Sequence, residues 1–155
     1  GEPAGVEPRA GNYVRLERGW KAGDEVELML PMPVRRLAAH PYLFENRGRV
    51  AIMRGPVLYC LEQAGNGDID PRSVMLPADA GLDARHEPGL LGGVTVIEGE
   101  ALAQPVDAAW ADRLYRPIAQ AEPSTTAERR RITLIPCFTW ANREPGPMEV
   151  WLGAD

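Results

Sequence analysis

The chain has 155 residues, of which 45% are hydrophobic and 25% charged, with a formal net charge of -5 and a pI of about 5.1. Such a length and composition are typical of one soluble globular domain with a real core. The acidic balance argues against a nucleic-acid-binding surface, because phosphate binding needs clustered basic charge. The basic run Arg129 to Arg131 is interpreted as a solvated strand end. No apolar run is long enough to span a bilayer, so neither nucleic acid nor membrane is expected as a partner.

The first thirty residues are predicted to contain a loop followed by a β-hairpin. Residues 1–12 are rich in Gly, Pro and Ala and are interpreted as a loop or linker. Apolar and polar residues alternate at period 2 over 13–18 and again over 25–30, which is typical of half-buried strands. Gly23 lies in the short connection between these segments and supplies the permissive backbone of a turn.

The middle of the chain is predicted to contain a central strand. Residues 34–48 are interpreted mostly as a connection, in which residues 42–44 serve as apolar anchors. The following stretch, 49–62, has two apolar halves separated by Gly55 and Pro56. Because Pro56 cannot donate to a ladder, this stretch predicts either one strand bent at a bulge or two strands around a corner. Apolar residues on both faces of its second half indicate a central strand.

The rest of the chain predicts further short strands. They lie at 73–76, 94–98, 132–135 and 148–152. Residues 101–128 form a poorly defined connection, for which a short helix over 107–115 and an irregular edge anchored by Trp110 remain open. Short strands with Gly/Pro punctuation predict an all-β fold, a single antiparallel β-sandwich domain of jelly-roll type spanning 1–155.

Candidate catalytic residues are sparse. Glycoside hydrolysis usually needs two carboxylates across a bond, but the glutamates lie mostly at polar positions of alternating strands and are interpreted as solvated strand faces. Glu62 and Glu149 are retained as carboxylates for a cryptic active site. His40 and His86 have no partner at metal-ligand spacing and no nearby nucleophile motif. The sequence therefore assigns no catalytic residue.

Metal ligation has equally little support. Cys60 and Cys137 lie far apart within apolar runs and make no metal-type spacing, so they are interpreted as two buried free thiols, with a disulfide left open. Residues 66–70 place oxygen ligands at alternate positions. Pro71 and Pro77, however, stand where a calcium loop has its turn glycine and its bidentate glutamate. No metal ligand is assigned.

Residues 132–152 contain the strongest candidate for a contact surface. They predict two strands, 132–139 and 148–152, joined in a closing hairpin by a polar loop that bends at Gly146. Aromatic side chains here could stack on sugar rings or meet another domain, and burial in a small core is the competing interpretation. The candidate residues for carbohydrate or interdomain contact are Trp140, Asn142, Arg143, Trp151 and Tyr115.

Three ordered motifs resemble the C-terminal part of glycoside hydrolase family 127, the β-L-arabinofuranosidase-like enzymes once grouped as a domain of unknown function. The motifs lie within residues 13–32, 46–62 and 134–152. The resemblance covers most of the chain and is weak over about 79–128. It departs from the usual pattern at Cys137, where the family often has an aromatic residue, and at an inserted-looking Glu-Pro pair in the loop before Gly146.

This resemblance implies the fold and role of the chain. Such enzymes carry an N-terminal (α/α)6 barrel followed by β-sandwich material, and the barrel holds a zinc-bound cysteine nucleophile with glutamate, further cysteines and histidines. Nothing in this sequence resembles that barrel, so Cys60 and Cys137 are not carried over and zinc is expected only in the barrel. The resemblance also implies that early sandwich strands precede Gly1, which would leave the sandwich incomplete at its N-terminal edge.

We therefore expect a non-catalytic C-terminal β-sandwich module of a family 127-like glycoside hydrolase. Its implied partners are the catalytic (α/α)6 barrel and arabinose-containing glycans. It would support the barrel and shape the outer substrate approach, in a protein of bacterial origin for which the cytoplasm is favoured. The alternative is a stand-alone carbohydrate-binding module that uses the aromatic surface described above.

Overall fold

The computed structural model describes residues 3–104, 113–115, 117 and 127–154. The chain divides into two compact units, Gly1–Leu30 and Pro31–Asp155. No helix in the described ranges is long and apolar enough to cross a membrane. Trp110, and with it most of the helix considered over 107–115, lies outside the described residues.

The first unit contains a turn but, over its described residues 3–30, no strand. The turn at Gly23 is confirmed, since the Lys21 amide donates to the Asp24 carboxylate at 2.9 Å and Gly23 has a φ of 92°. The strands predicted at 13–18 and 25–30, and hence their hairpin, are wrong. An alternating pattern becomes a strand only where a neighbour takes up its backbone hydrogen bonds and covers one face. The apolar residues of the second segment are instead largely exposed.

The second unit is all-β over its described residues. Its strands are β1 Val34–Ala38, β2 Arg49–Arg54, β3 Val57–Glu62, β4 Val74–Leu76, β5 Leu82–Glu87, β6 Val94–Ala103, β7 Glu128–Pro136, β8 Met148–Glu149 and β9 Leu152–Ala154. Short 3-10 turns lie at Phe44–Asn46, Pro71–Ser73 and Cys137–Thr139. Every strand pair is antiparallel except β4–β9. This architecture confirms the predicted all-β fold and β-sandwich, whose pairing was predicted as antiparallel and is antiparallel in all but this one pair.

The strands follow the order β1-β2-β9-β4-β6-β7-β3-β8, with β5 paired to β6. Because β2 also pairs with β3, the path from β2 round to β3 closes on itself. A closed path removes the unpaired edges of the strands within it. The strands β1, β5 and β8 lie outside that path, paired to β2, β6 and β3 respectively.

The core has two parts because β3 buries both of its faces. Tyr59 and Leu61 belong to the main cluster, whereas Cys60, between them, belongs to a second cluster with Ile135 and Val96. Successive strand residues point to opposite faces, which explains this division. The prediction of a central strand is confirmed, since β3 has paired neighbours on both sides. Each fully buried large aliphatic side chain contributes about 1.5–3 kcal/mol.

Residues 49–62 form a tight hairpin, where a bulge or a corner was predicted. The register pairs Arg54 with Val57, so Gly55 and Pro56 are the two turn residues. Gly55 has a φ of 56°, the left-handed conformation that two-residue hairpin turns require at their first central position. Pro56 occupies the second turn position, where a missing amide costs no ladder bond.

Three further predictions about the strands are corrected. Residues 34–48 contain β1, and residues 148–152 are divided into β8 and β9 by a break at 150–151. The closing hairpin is also wrong, because β3 lies between β7 and β8: Leu61 faces Leu134 on one side and Glu149 on the other. After the break, the Leu152 side chain points into the main core. The strand β9 lies between β2 and β4 and pairs with both.

Candidate functional site

An exposed aromatic surface lies on the turn that follows β7. Thr139 is buried and its hydroxyl donates to the Pro136 carbonyl at 2.7 Å, while the Trp140 amide donates to the Cys137 carbonyl at 3.2 Å. These two bonds close a single 3-10 turn, Cys137–Thr139. Phe138 and Trp140 point outward from it, with 73% and 47% of their surfaces exposed. We call Cys137 to Arg143 the aromatic turn.

A buried carboxylate from β3 holds the aromatic turn in place. Glu62 is only 3% exposed. Its Oε1 accepts the Ala141 amide at 2.7 Å and its Oε2 accepts Nη2 of Arg143 at 2.6 Å. Ala141 has a φ of 58°, a left-handed conformation that costs an alanine about 1–2 kcal/mol. Glu62, interpreted from the sequence as part of a solvated face, is therefore a structural anchor.

The loop after β3 supplies the second half of this anchor. Arg143 also donates to the Ala64 carbonyl, and the position of a Cβ on Gly65 lies 2.5 Å from Nη1 of Arg143. Asn66 is buried; its amide nitrogen donates to the carbonyls of Glu62 and Thr133, and its Oδ1 accepts the Thr133 amide at 2.8 Å. Residues 62–66 thus connect the aromatic turn to β7.

The structure brings three of the five predicted contact residues together. Trp140, Asn142 and Arg143 share the aromatic turn, and the side-chain Nδ2 of Asn142 donates to the Trp140 carbonyl at 3.3 Å. Trp151 is half-buried in the break between β8 and β9, where its carbonyl accepts a hydrogen bond from Arg49. Tyr115 is almost fully exposed. Phe138 was missed, although its position beside Trp140 in a Pro-bounded segment was a signal for it.

A second exposed apolar surface lies in the loop between β1 and β2. Tyr42 and Phe44 are 77% and 61% exposed, and the Arg47 guanidinium lies 4.4 Å from the Phe44 ring centroid. A cleft of about 360 Å³ lies beside them, lined mainly by residues 38–50. The sequence predicted these aromatics as apolar anchors, whereas in the structure their side chains are exposed. We call residues 40–47 the outer loop.

Another cleft, in the second unit, is charged. It encloses about 430 Å³ and is lined by Asp79, Ala80, Gly81, Asp83, Glu98, Gly99, Glu100, Arg129 and Arg131. The Glu98 carboxylate on β6 accepts hydrogen bonds from the Arg85 guanidinium on β5 at 2.9 Å and from the Arg131 guanidinium on β7 at 2.8 Å. Paired with acidic neighbours, the arginine run at the start of β7 is a solvated strand end, as predicted.

Glu98 makes the stability of the unit depend on pH. Hydrogen bonds from Arg85 and then Arg131 lower the pKa of its carboxyl from 4.5 to about 2. A carboxyl whose pKa is lower in the folded chain than in the unfolded chain stabilises the fold when the pH is above the unfolded-state pKa. This stabilisation is lost as the pH falls toward the folded-state pKa. We expect the stability advantage of the wild type over Glu98→Gln to shrink steadily from pH 5 to pH 2. Urea unfolding at several pH values measures this difference.

Glu100→Gln is the matched control for that titration. The Glu100 carboxylate is 67% exposed and lies 3.8 Å from Arg129, a separation at which an exposed pair contributes little. A difference between wild type and Glu98→Gln that stays constant over the same pH range would contradict the assigned role of Glu98.

The described residues do not fit a zinc site. Cys60 and Cys137 are free thiols, and both carboxylate oxygens of Glu62 are already bound to Ala141 and Arg143. Among the residues that the structure describes, no group of three or more His, Cys, Asp or Glu side chains is placed to hold a metal. Two thiols alone fall short of the three or four protein ligands of zinc sites.

Comparison with known proteins identifies the family of this unit. Residues 34–153 match the glycoside hydrolase family 127 C-terminal domain. The chain is 35% identical over 134 residues to the non-reducing end beta-L-arabinofuranosidase of Bifidobacterium longum subsp. longum, covering 84% of this chain and 20% of that protein.

Solved structures agree with this match. Ara127N, a GH127 beta-L-arabinofuranosidase from Geobacillus stearothermophilus T6, superposes with a TM-score of 0.69 at 43% identity, over 81% of this chain and 19% of that one. Another solved GH127 beta-arabinofuranosidase gives a TM-score of 0.67 at 32% identity, over 80% of this chain and 17% of that one. The chain spans about a fifth of the length of these relatives. It belongs to glycoside hydrolase family 127, and residues 34–153 form the C-terminal domain of that family.

Proposed function

We propose that this chain serves as the supporting, non-catalytic β-sandwich module of a β-L-arabinofuranosidase-type glycoside hydrolase, docked on the catalytic barrel. The observation that carries this proposal is the match of residues 34–153 to the C-terminal domain of enzymes about five times longer than the matched part. A module of this kind docks on the catalytic domain because the contact buries apolar surface on both domains.

The outer loop is the surface best suited to that docking. Its Tyr42 and Phe44 are large, exposed and adjacent to an apolar cleft. The loop is held by backbone bonds from Leu43 to His40 and from Asn46 to Leu43, so the aromatics are presented with little conformational freedom to lose. Preorganised aromatic residues are typical of interface centres.

The position of Glu62 supports a structural role for the chain. A general acid or nucleophile must reach a substrate, whereas Glu62 is buried with each oxygen bound to an element of the aromatic turn. Glu149, the other carboxylate considered, lies 3.5 Å from the Arg49 guanidinium. The carboxylates considered for a cryptic active site are thus engaged in holding strands and turns together.

Transplanting the domain into a relative tests the proposal. In the Bifidobacterium longum β-L-arabinofuranosidase, the matching C-terminal segment is deleted or replaced by residues 34–153 of this chain. We expect the deletion to inactivate faster on heating, and the replacement to restore much of the half-life, when hydrolysis of an aryl β-L-arabinofuranoside is followed. Tyr42→Ser with Phe44→Ser should remove that restoration.

Leu58→Ser is the control variant, because Leu58 is an exposed apolar residue on β3 and lies outside the outer loop. A deletion enzyme as long-lived as the intact one would overturn the supporting role. Robust turnover of the same glycoside by this chain alone, assayed with zinc and thiol present, would overturn its non-catalytic character.

Carbohydrate binding by the aromatic turn is the second candidate. The observation in its favour is that Phe138 and Trp140 are exposed on a turn fixed by a buried carboxylate. Aromatic faces held in this way present contact area at low entropic cost. Asn142 on the same turn brings a polar side chain that could bond a sugar hydroxyl.

We expect arabino-oligosaccharide at millimolar concentration to shift the tryptophan fluorescence of the chain. Trp140→Ala should abolish the shift, because it removes the stacking face. Trp20→Phe, in the other unit, is the control and should retain it. Absence of any shift in the wild type would leave interdomain support as the role of the aromatic turn.

A further inference from the structure

The fold brings the two cysteines of the chain into contact. Cys60 is fully buried in the middle of β3, and Cys137 is half-buried at the start of the aromatic turn. Cys60 lies directly opposite Ile135 in the β3–β7 ladder. Cys137 follows Ile135 by two residues, at the start of the 3-10 turn directly after β7, and it packs against the cluster that contains Cys60 and Ile135. Cys60 is a member of the second core cluster and Cys137 packs against that cluster, so the two thiols lie in the same part of the core.

The two thiols differ in pKa and in exposure to solvent, and both differences favour Cys137 as the thiol that reacts first. The proximity of the Cys60 thiol lowers the pKa of Cys137, whereas the proximity of Cys137, followed by burial, raises the pKa of Cys60. The thiolate is the nucleophile in thiol–disulfide exchange, and it must also be reachable from solvent. Cys137 satisfies both conditions, while Cys60 is positioned to attack a sulfur already bonded to Cys137.

We propose that Cys60 and Cys137 are a redox-active pair, which a low-molecular-weight disulfide such as oxidised glutathione converts into an intramolecular disulfide. The Cys137 thiolate attacks one glutathione sulfur and releases a glutathione thiolate, forming a mixed disulfide. The Cys60 thiol then loses its proton and attacks the Cys137 sulfur, releasing the second glutathione. Two protein thiols are oxidised, one glutathione disulfide is reduced, and the two protons pass to the released thiolates.

The consequence falls on the aromatic turn. Glu62 already ties this turn to β3 through Ala141 and Arg143. A Cys60–Cys137 bond would add a covalent tie between the same two elements and close a long loop of the chain, which constrains the unfolded state. Oxidation therefore fixes Phe138 and Trp140 more firmly, whichever partner they meet. This inference does not depend on the proposed function.

Intact mass measurement tests the pair directly. The native chain is incubated with oxidised glutathione, quenched with an alkylating reagent and analysed by mass and peptide mapping. We expect a product that lacks two hydrogens, takes up no alkyl group and contains a Cys60–Cys137 peptide. Its thermal midpoint should rise by several degrees and return after reduction.

Two variants distinguish the order of attack. Cys60→Ala should stop at the mixed disulfide on Cys137, and Cys137→Ala should react with glutathione disulfide at least tenfold more slowly than the wild type. In urea, where burial is lost, the remaining cysteine of each variant should react at a similar rate. Two outcomes in the wild-type chain would each overturn the proposal. One is that both cysteines stay reduced; the other is that glutathione accumulates on Cys60 while Cys137 stays free.

Discussion

Replacing Arg143 with methionine should lower the free energy of unfolding by about 3 kcal/mol, a large part of the stability of a domain of this size. The variant leaves the Glu62 carboxylate 3% exposed, with the Ala141 amide as its remaining charge-stabilising contact. Removing one partner of a buried pair costs more than the pair contributes, because the other charge stays desolvated. Urea unfolding followed by circular dichroism measures the change.

A double-mutant cycle separates the ion pair from simple loss of packing. Glu62→Met with Arg143→Met should be closer to wild type than Arg143→Met alone, because no unpaired charge is then buried. Arg129→Met is the control: its guanidinium is 62% exposed and 3.8 Å from Glu100, so its loss should cost less than about 1 kcal/mol. Equal costs for Arg143→Met and Arg129→Met would contradict the anchoring role.

Gly65→Ala should cost about 4–5 kcal/mol through two separate effects, a left-handed alanine and a broken buried ion pair. Gly65 has a φ of 85°, which costs an alanine about 1–2 kcal/mol. Its new Cβ would also lie 2.5 Å from Nη1 of Arg143, so the guanidinium would have to leave its place beside Glu62. The aromatic turn would lose its anchor, and the fluorescence of Trp140 should change in the folded state.

Gly67→Ala isolates the backbone part of that cost. Gly67 lies in the same loop with a φ of 66°, and nothing lies within 4 Å of its added Cβ. Gly67→Ala should therefore lower the free energy of unfolding only by the cost of an alanine in the left-handed conformation, about 1–2 kcal/mol. Equal destabilisation by the two alanines in urea unfolding, with unchanged tryptophan fluorescence, would show that the contact between Gly65 and Arg143 has no role.

The local pattern was sufficient for the strands that bury both faces. The apolar halves of 49–62, and the runs at 94–98 and 132–135, are strands in the structure, with β6 and β7 extending beyond their predicted bounds. The same pattern failed at 25–30, where apolar residues alternate equally well but no described strand pairs with them. An alternating pattern indicates which residues of a segment could face a core. The segment becomes a strand only where a neighbouring segment pairs with it.

The sequence by itself determined the fold class, the central position of β3 and, through its three ordered motifs, the family. Only the tertiary structure decided where Glu62, Cys60 and the outer loop lie and what they contact. Glu62 meets Arg143 and Cys60 meets Cys137 across long stretches of chain, because β3 lies between β7 and β8. Strand order depends on which distant segments pair, and a periodic pattern along one segment contains no information about its partner.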